Sequence, residues 1–275
     1  MYGVLLVPPD DTSADIGAIF MHNAGYSTMC GHAVLSLGRY LVDKGFIKDP
    51  KIPETRINIQ CPCGVVESYV KYDGTTTGSV RFLSVPSFLY AKDVSVDVPG
   101  LGKILVDIAY GGAFYALVPA SQYKLDIKSS VQKIKEVAGA TTEALKKQLN
   151  LTHPESHHLA FLYGTIVTDG RDQYSEEVTS NVCVFAEKEV DRSPCGSGVT
   201  ARIAQQFSRG WIQLNQTRTF EGPTGATFQA KAVQKVQYGD YNAVVVEVSG
   251  RGYYTGTSTF TLEEEDDIGK GFLLS

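Results

Sequence analysis

One short pattern occurs twice in this chain, and the two copies constrain the fold more than any single element does. Cys30-Gly-His-Ala-Val34 aligns with Cys195-Gly-Ser-Gly-Val199, and the match continues without a gap until Lys44-Gly45-Phe46-Ile47 meets Arg209-Gly210-Trp211-Ile212. Each copy reads as a Cys-Gly turn, a helix, a basic residue, a glycine suited to end that helix, and an aromatic-Ile pair. Short helices ending in glycine often look alike, but Cys, Gly, Val, Gly and Ile recur here at fixed spacing. The repeat therefore predicts two related half-molecules, each presenting a cysteine at a helix N-terminus.

A helix N-terminus carries unpaired N–H groups and the positive end of the helix dipole, so it binds anions such as carboxylates. It also lowers the pKa of a nearby thiol, and a useful thiolate fraction at neutral pH is expected at both cysteines. Two such starts facing across a cleft would do two jobs. The amides of Gly31, His32, Gly196 and Ser197 would hold a substrate carboxylate. The sulfurs of Cys30 and Cys195 would stand on opposite faces of the adjacent carbon, one removing its proton and the other delivering one. His32 fits either a substrate contact or a plain helix-start residue. Asp191 fits a turn, a local ion pair with Arg192, or an anchor for a cationic amine.

Other classes fit less well. At 275 residues the length allows one large domain or two moderate ones. The net charge of −5 lacks the basic excess of a non-specific nucleic-acid binder. No apolar run approaches the roughly 18 residues of a membrane span. Met1–Pro9 has neither the basic n-region nor the cleavage site of a signal peptide. Five cysteines, an odd number, point to a reducing compartment, and a cytoplasmic location is expected. Cys61, Cys63 and Cys183 lie in strand-like runs and read as small buried hydrophobes, not as metal ligands. No dinucleotide, Walker or H-E-x-x-H motif is present, so neither a cofactor nor a metal is expected. A cysteine hydrolase would need a thiol–imidazole pair and an orienting third group, and Cys30 and His32 are too close in sequence for that arrangement. His22, His153, His157 and His158 show no pairing with either cysteine motif.

Many short Val/Ile/Tyr/Thr-rich runs surround three helical patterns, which reads as α+β. The helices are expected at His32–Lys44, Val131–Leu149 and Ser197–Ser208. The second should pack on the second lobe and stay out of the site. A last strand is expected at Thr257–Leu262. The division expected is a first lobe over 1–100, completed by 251–275, and a second over 101–250.

Met29-Cys-Gly-His-Ala33 and Asp191-Arg-Ser-Pro-Cys-Gly-Ser-Gly198 resemble the two signature segments of the proline racemase family. Gly111-Gly-Ala-Phe-Tyr115 and Tyr254-Thr-Gly256 also look like family segments, and the resemblance runs along the whole chain. It implies a diaminopimelate-epimerase-like fold: two similar α/β lobes related by a pseudo-two-fold, with the site between them. It places Cys30 and Cys195 on the acid/base positions, His32 and Asp191 near the substrate amine, and Gly31, Gly196 and Ser197 on the carboxylate-binding turns. Proline or hydroxyproline is the implied substrate, and a homodimer is left open. The family normally carries a region ahead of the segment matching Met1, and its strands would join the first lobe.

Within the family, Asp107-Ile-Ala-Tyr-Gly-Gly-Ala-Phe-Tyr115, Ala160-Phe-Leu-Tyr-Gly-Thr165 and Gly196-Ser-Gly-Val-Thr-Ala-Arg-Ile203 look most like the animal trans-3-hydroxy-L-proline dehydratases. That resemblance implies elimination of water to a pyrroline carboxylate. Those dehydratases usually carry Thr at the position of Cys195, whereas Cys there is the pattern of racemases and epimerases. The 3-hydroxyl of trans-3-hydroxy-L-proline lies on the same ring face as the Cα hydrogen. One residue on that face therefore suffices for elimination, and Cys195 does not forbid it. Inversion does need the opposite acid, which Cys195 supplies. A non-catalytic relative binding a small amino acid through the same helix starts is the alternative from another class; the presence of both thiols argues against it.

Overall fold

The computed structural model describes residues 2–271. The chain runs β1 (Gly3–Val7), β2 (Ile16–His22), β3 (Gly25–Ser27), α1 (Gly31–Asp43), β4 (Glu54–Cys61), β5 (Gly64–Tyr72) and β6 (Thr77–Leu83). A middle segment follows with β7 (Phe88–Val98), β8 (Gly102–Tyr110), β9 (Phe114–Pro119) and α2 (Val131–Gln148). The last part is β10 (Leu162–Thr168), β11 (Thr179–Phe185), β12 (Glu189–Val190), α3 (Gly196–Ser208), β13 (Arg218–Glu221), β14 (Thr227–Tyr238) and β15 (Tyr241–Gly250). The result is mixed α/β, with three α-helices against an extensive sheet among the described residues.

Strand order makes the repeat visible. Along the hydrogen-bonded path the order is β1-β2-β4-β5-β6-β15-β14-β13-β11-β10-β9-β8-β7. The first ten positions form a palindrome about the β6–β15 junction. Orientations agree as well: β2 runs parallel to β4 as β11 does to β13, and β2–β3 and β11–β12 are both antiparallel. At the junction Leu83 pairs with Glu247 and Phe82 with Val248, two pairs that the repeat offset exchanges. A pseudo-two-fold axis therefore passes between β6 and β15. The offset also carries both ends of α1 onto both ends of α3.

Each repeat helix forms for local reasons. α1 buries Val34, Leu35, Leu37, Leu41 and Val42 at three- and four-residue spacing, which is one helical face. Gly45 and Gly210 follow the two helices with positive φ, as helix-terminating glycines do. α3 is buried along nearly its whole length, including the Arg202 side chain. Arg202 is accommodated by Asp172 at 2.6 Å, Thr179 at 3.0 Å and Asn181 at 3.0 Å. α2 buries Ile134, Ala138, Ala144 and Leu145 with β7–β9 and β10, away from the cysteines.

Two expectations differ from the structure. Thr257–Leu262 is not a strand: among the described residues after Gly250 there is no regular structure, and β15 is already flanked by β14 and β6. Tyr254 instead docks on α1, its hydroxyl 3.0 Å from Asp43 and its ring 4.6 Å from the Arg39 guanidinium. The boundary expected at 100/101 falls inside the β7–β8 hairpin, where Val98 pairs with Gly102. Sheet pairing changes at 84–87 instead, and β15 returns to pair with β6, carrying β14 and β13 beside it. Two register shifts, between Leu89 and Val94, break the alternation of β7.

Candidate active site

The two half-sites are built alike. In the first, the β2–β3 hairpin delivers the chain to Cys30, the N-cap of α1, and Cys30 Sγ accepts from the Ala33 N–H at 3.4 Å. In the second, the β11–β12 hairpin leads to Cys195, the N-cap of α3. Cys195 has φ of +68°, a strained setting for a residue with a Cβ. A strap of side-chain bonds holds it there. Ser193 donates to Asp191 from its N–H (2.8 Å) and hydroxyl (2.9 Å), and its hydroxyl accepts from the Cys195 N–H at 3.1 Å. Asn181 and Thr224 donate to the carbonyls of Pro194 and Arg192.

The helix starts touch. A Cβ on Gly31 would lie 2.8 Å from Gly196 Cα, and one on Gly196 would lie 2.6 Å from Gly31 Cα, so only hydrogen fits at either position. The Gly111-Gly112 turn wedges beneath the pair. Gly111 faces α3, where a Cβ would meet the Ser197 carbonyl at 2.3 Å; Gly112, at φ +94°, packs on Met29. The first helical amides, Gly31 and His32 on one side and Gly196 and Ser197 on the other, have no intrahelical acceptor, because those ladders begin at Val34 and Val199.

All seven residues singled out from the sequence, Cys30, Gly31, His32, Asp191, Cys195, Gly196 and Ser197, line one cavity of about 520 Å³. His32 Nδ1 lies 3.8 Å from the Asp191 carboxylate across this cavity. His32 is thus not the cap of α1, which is Cys30, and Asp191 makes no ion pair with Arg192 among the described residues. Cys61, Cys63 and Cys183 are buried and line no part of the cavity.

Aromatic residues elsewhere in the chain also line the cavity. Tyr115 puts its hydroxyl 3.6 Å from Cys195 Sγ and 2.8 Å from Ser197 Oγ. Its segment was marked by resemblance, but nothing in the sequence told which way the ring points. Tyr2 and His22 also line the cavity with Tyr163 and Phe185, and their rings pack 5.8 Å apart. His22 therefore does not stand apart from the cysteine motifs as the sequence suggested. Its place depends on β2 running beside β1, which no local pattern reports.

The thiol expectation is overturned at Cys30. Burial pushes its pKa up to about 12; the Asp191 charge adds to the rise, and the Ala33 N–H opposes it. Among aromatic and apolar walls, desolvation of the thiolate outweighs the helix N-terminus. Cys30 is held as the thiol at neutral pH.

The sequence model of the proline racemase family matches residues 1–273. A trans-L-3-hydroxyproline dehydratase of Xenopus tropicalis is 59% identical over all of this chain and 79% of its own length. A human trans-3-hydroxy-L-proline dehydratase is 54% identical, with 100% and 79% covered. Among solved structures, a hydroxyproline epimerase from Agrobacterium vitis with bound trans-4-hydroxy-L-proline superposes with a TM-score of 0.91. It is 25% identical, with 98% of this chain and 77% of that one covered. With matched half-sites meeting at one cavity and a family match over nearly its entire length, this chain belongs to the proline racemase family.

Proposed function

We propose that this protein is an enzyme that removes the Cα proton of a proline-type amino acid, and that it dehydrates trans-3-hydroxy-L-proline. The observation that carries this reading is the convergence of the Cys30 thiol and both amide turns on one cavity. The kinship with dehydratases over the whole chain selects the reaction.

The substrate carboxylate accepts from the amides of Gly31, His32, Gly196 and Ser197, where the positive ends of α1 and α3 converge. Its ammonium lies against Asp191. That placement neutralises the second influence holding the Cys30 thiol up, so bound substrate favours the thiolate. The thiolate takes the Cα proton, and the amides stabilise charge delocalised onto the carboxylate. The 3-hydroxyl on the same face leaves as water, giving a pyrroline-2-carboxylate. No step needs a group on the opposite face.

A second reading rests on Cys195, whose thiol shares the cavity and has Tyr115 and Ser197 as neighbours. Reprotonation from that side inverts the stereocentre, making the protein a hydroxyproline 2-epimerase or proline racemase. One experiment separates the readings. The protein is incubated in deuterated water with trans-3-hydroxy-L-proline, trans-4-hydroxy-L-proline and L-proline. Pyrroline from the first supports dehydration, and deuterated epimer from the others supports inversion. A protein that binds these compounds without exchanging the Cα hydrogen is a non-catalytic relative, and the proposal fails.

A further inference from the structure

Elimination requires more than a base, because hydroxide is a poor leaving group and its oxygen must gain a proton as the C–O bond breaks. Cys195 belongs to the other half-site and cannot supply that proton on the Cys30 face. Among the described residues, two cavity-lining side chains have a buried polar atom without a hydrogen-bond partner: Tyr2 at its hydroxyl and His22 at Nε2. His22 Nδ1 accepts from the Ala24 N–H at 3.2 Å, so in the neutral ring Nε2 carries the hydrogen. His22 ends β2 and Tyr2 immediately precedes β1, and these two strands belong to the Cys30 half-site. Unpartnered polar atoms in a native interior are uncommon and call for a partner.

Resting on the dehydratase reading above, we propose that Tyr2 is the acid for the departing 3-hydroxyl, relaying to it the proton that Cys30 takes from Cα. Tyr2 and Cys30 line the same cavity. Burial itself, followed by the Cys30 charge, drives the Tyr2 pKa far above the usual phenol range, so Tyr2 serves as a neutral donor. The step balances without any other reactant. The Cα–H pair becomes the C2–C3 double bond as the proton passes to Cys30 Sγ. The C3–O pair leaves with oxygen, which takes the Tyr2 O–H proton and departs as water. The Cys30 S–H proton replaces it on Tyr2 oxygen, which restores both the phenol and the thiolate. The unpartnered His22 N–H lies on the same wall as a second donor for the ring hydroxyl.

The test is Tyr2→Phe, which keeps the ring and its packing. Trans-3-hydroxy-L-proline is incubated in deuterated water, and both pyrroline and the deuterium content of recovered substrate are measured. With proton removal intact and departure blocked, pyrroline formation falls by about a hundredfold and recovered substrate acquires Cα deuterium. Unchanged pyrroline formation overturns the proposal. So does loss of product without deuterium uptake, which places the defect at Cys30 or in folding. A parent protein that exchanges the Cα hydrogen yet releases no pyrroline overturns the dehydratase reading and this role with it, while proton removal at Cα stands; unchanged pyrroline from Tyr2→Phe in an active parent overturns this role alone. A parent that does neither overturns the dehydratase reading and this role with it.

Discussion

Gly31 and Gly196 pack backbone against backbone, and each occupies the volume that a side chain on the other would need. They are equivalent positions in the repeat, so the pseudo-two-fold axis that runs between β6 and β15 also passes between these two residues. Their contact fixes the spacing of the helix starts and hence of the amides and thiols beside them.

Gly196→Ala is expected to push α3 from α1 by several tenths of an ångström or more, since the obstructing atoms are backbone. A displacement of about 1 Å at reacting groups costs about a hundredfold in rate, while overpacking of this kind destabilises by about 1–3 kcal/mol. Turnover should thus collapse in a protein that still unfolds cooperatively in urea. Retained turnover would show that the contact does not set the spacing.

The two thiols separate by reaction. Cys30→Ser should depress elimination and epimerisation alike by several orders of magnitude, because a serine hydroxyl is a far weaker acid than a thiol. Cys195→Thr removes only the group on the far face. Epimerisation should vanish while elimination survives within about tenfold, a barrier change of about 1.4 kcal/mol. Products from both hydroxyprolines, measured for each variant, decide this; loss of elimination in folded Cys195→Thr would refute the one-face route.

Cys30 should respond to pH as a thiol with a pKa of about 12. Below that value its thiolate fraction rises about tenfold per pH unit, and alkylation of Cys30 by iodoacetamide should follow the same slope. Asp191→Asn removes the negative charge that adds to the rise. Alkylation at about pH 8 should then accelerate several-fold, while kcat/KM falls because the amine loses its anchor. Mass spectrometry of the Cys30 peptide gives the first quantity. An alkylation rate unaffected by Asp191→Asn would show that burial alone sets the thiol.

Asp107 makes a separate, structural test. It is buried and accepts from Arg209 Nε and Nη2 (both 2.6 Å), Gln205 Nε2 (2.7 Å) and the Asp93 N–H (2.9 Å). Burial raises its pKa, but the bonds from Arg209, Gln205 and Asp93 outweigh this and hold it below the usual carboxylate range. A depressed carboxylate contributes stability above its unfolded pKa of about 4 and loses it as pH falls through the folded value. Asp107→Asn should cost about 3 kcal/mol at neutral pH and much less in acid. Urea midpoints at both pH values test this; an equal cost at both would show that charge is not the source.

How far the sequence reaches depends on what each feature requires. The helices were legible because Cys-Gly at one end and Gly45 or Gly210 at the other mark both bounds, and apolar spacing marks the face. The seven site residues were legible because they sit in the two repeated turns. Tyr2, His22 and Tyr115 were not, since their positions follow from strand adjacency. Thr257–Leu262 has the composition of a strand but no partner edge. The Cys30 thiol misled because a helix start and burial act in opposite directions, and only packing says which wins.

The return of β15 to pair with β6 has a consequence for biosynthesis. Every strand that pairs within β7–β12 leaves the ribosome before β13 does. The pairings among β7–β12 can thus form first, while β6, made earlier, waits for β15, and one edge of β11 waits for β13. The ion pair of Arg81 with Glu247 closes only after about 165 further residues are translated, on the order of ten to thirty seconds at ordinary elongation rates. During that interval the edge of β6 is unpaired, so the half that emerges first is completed only when the last strand, β15, is made.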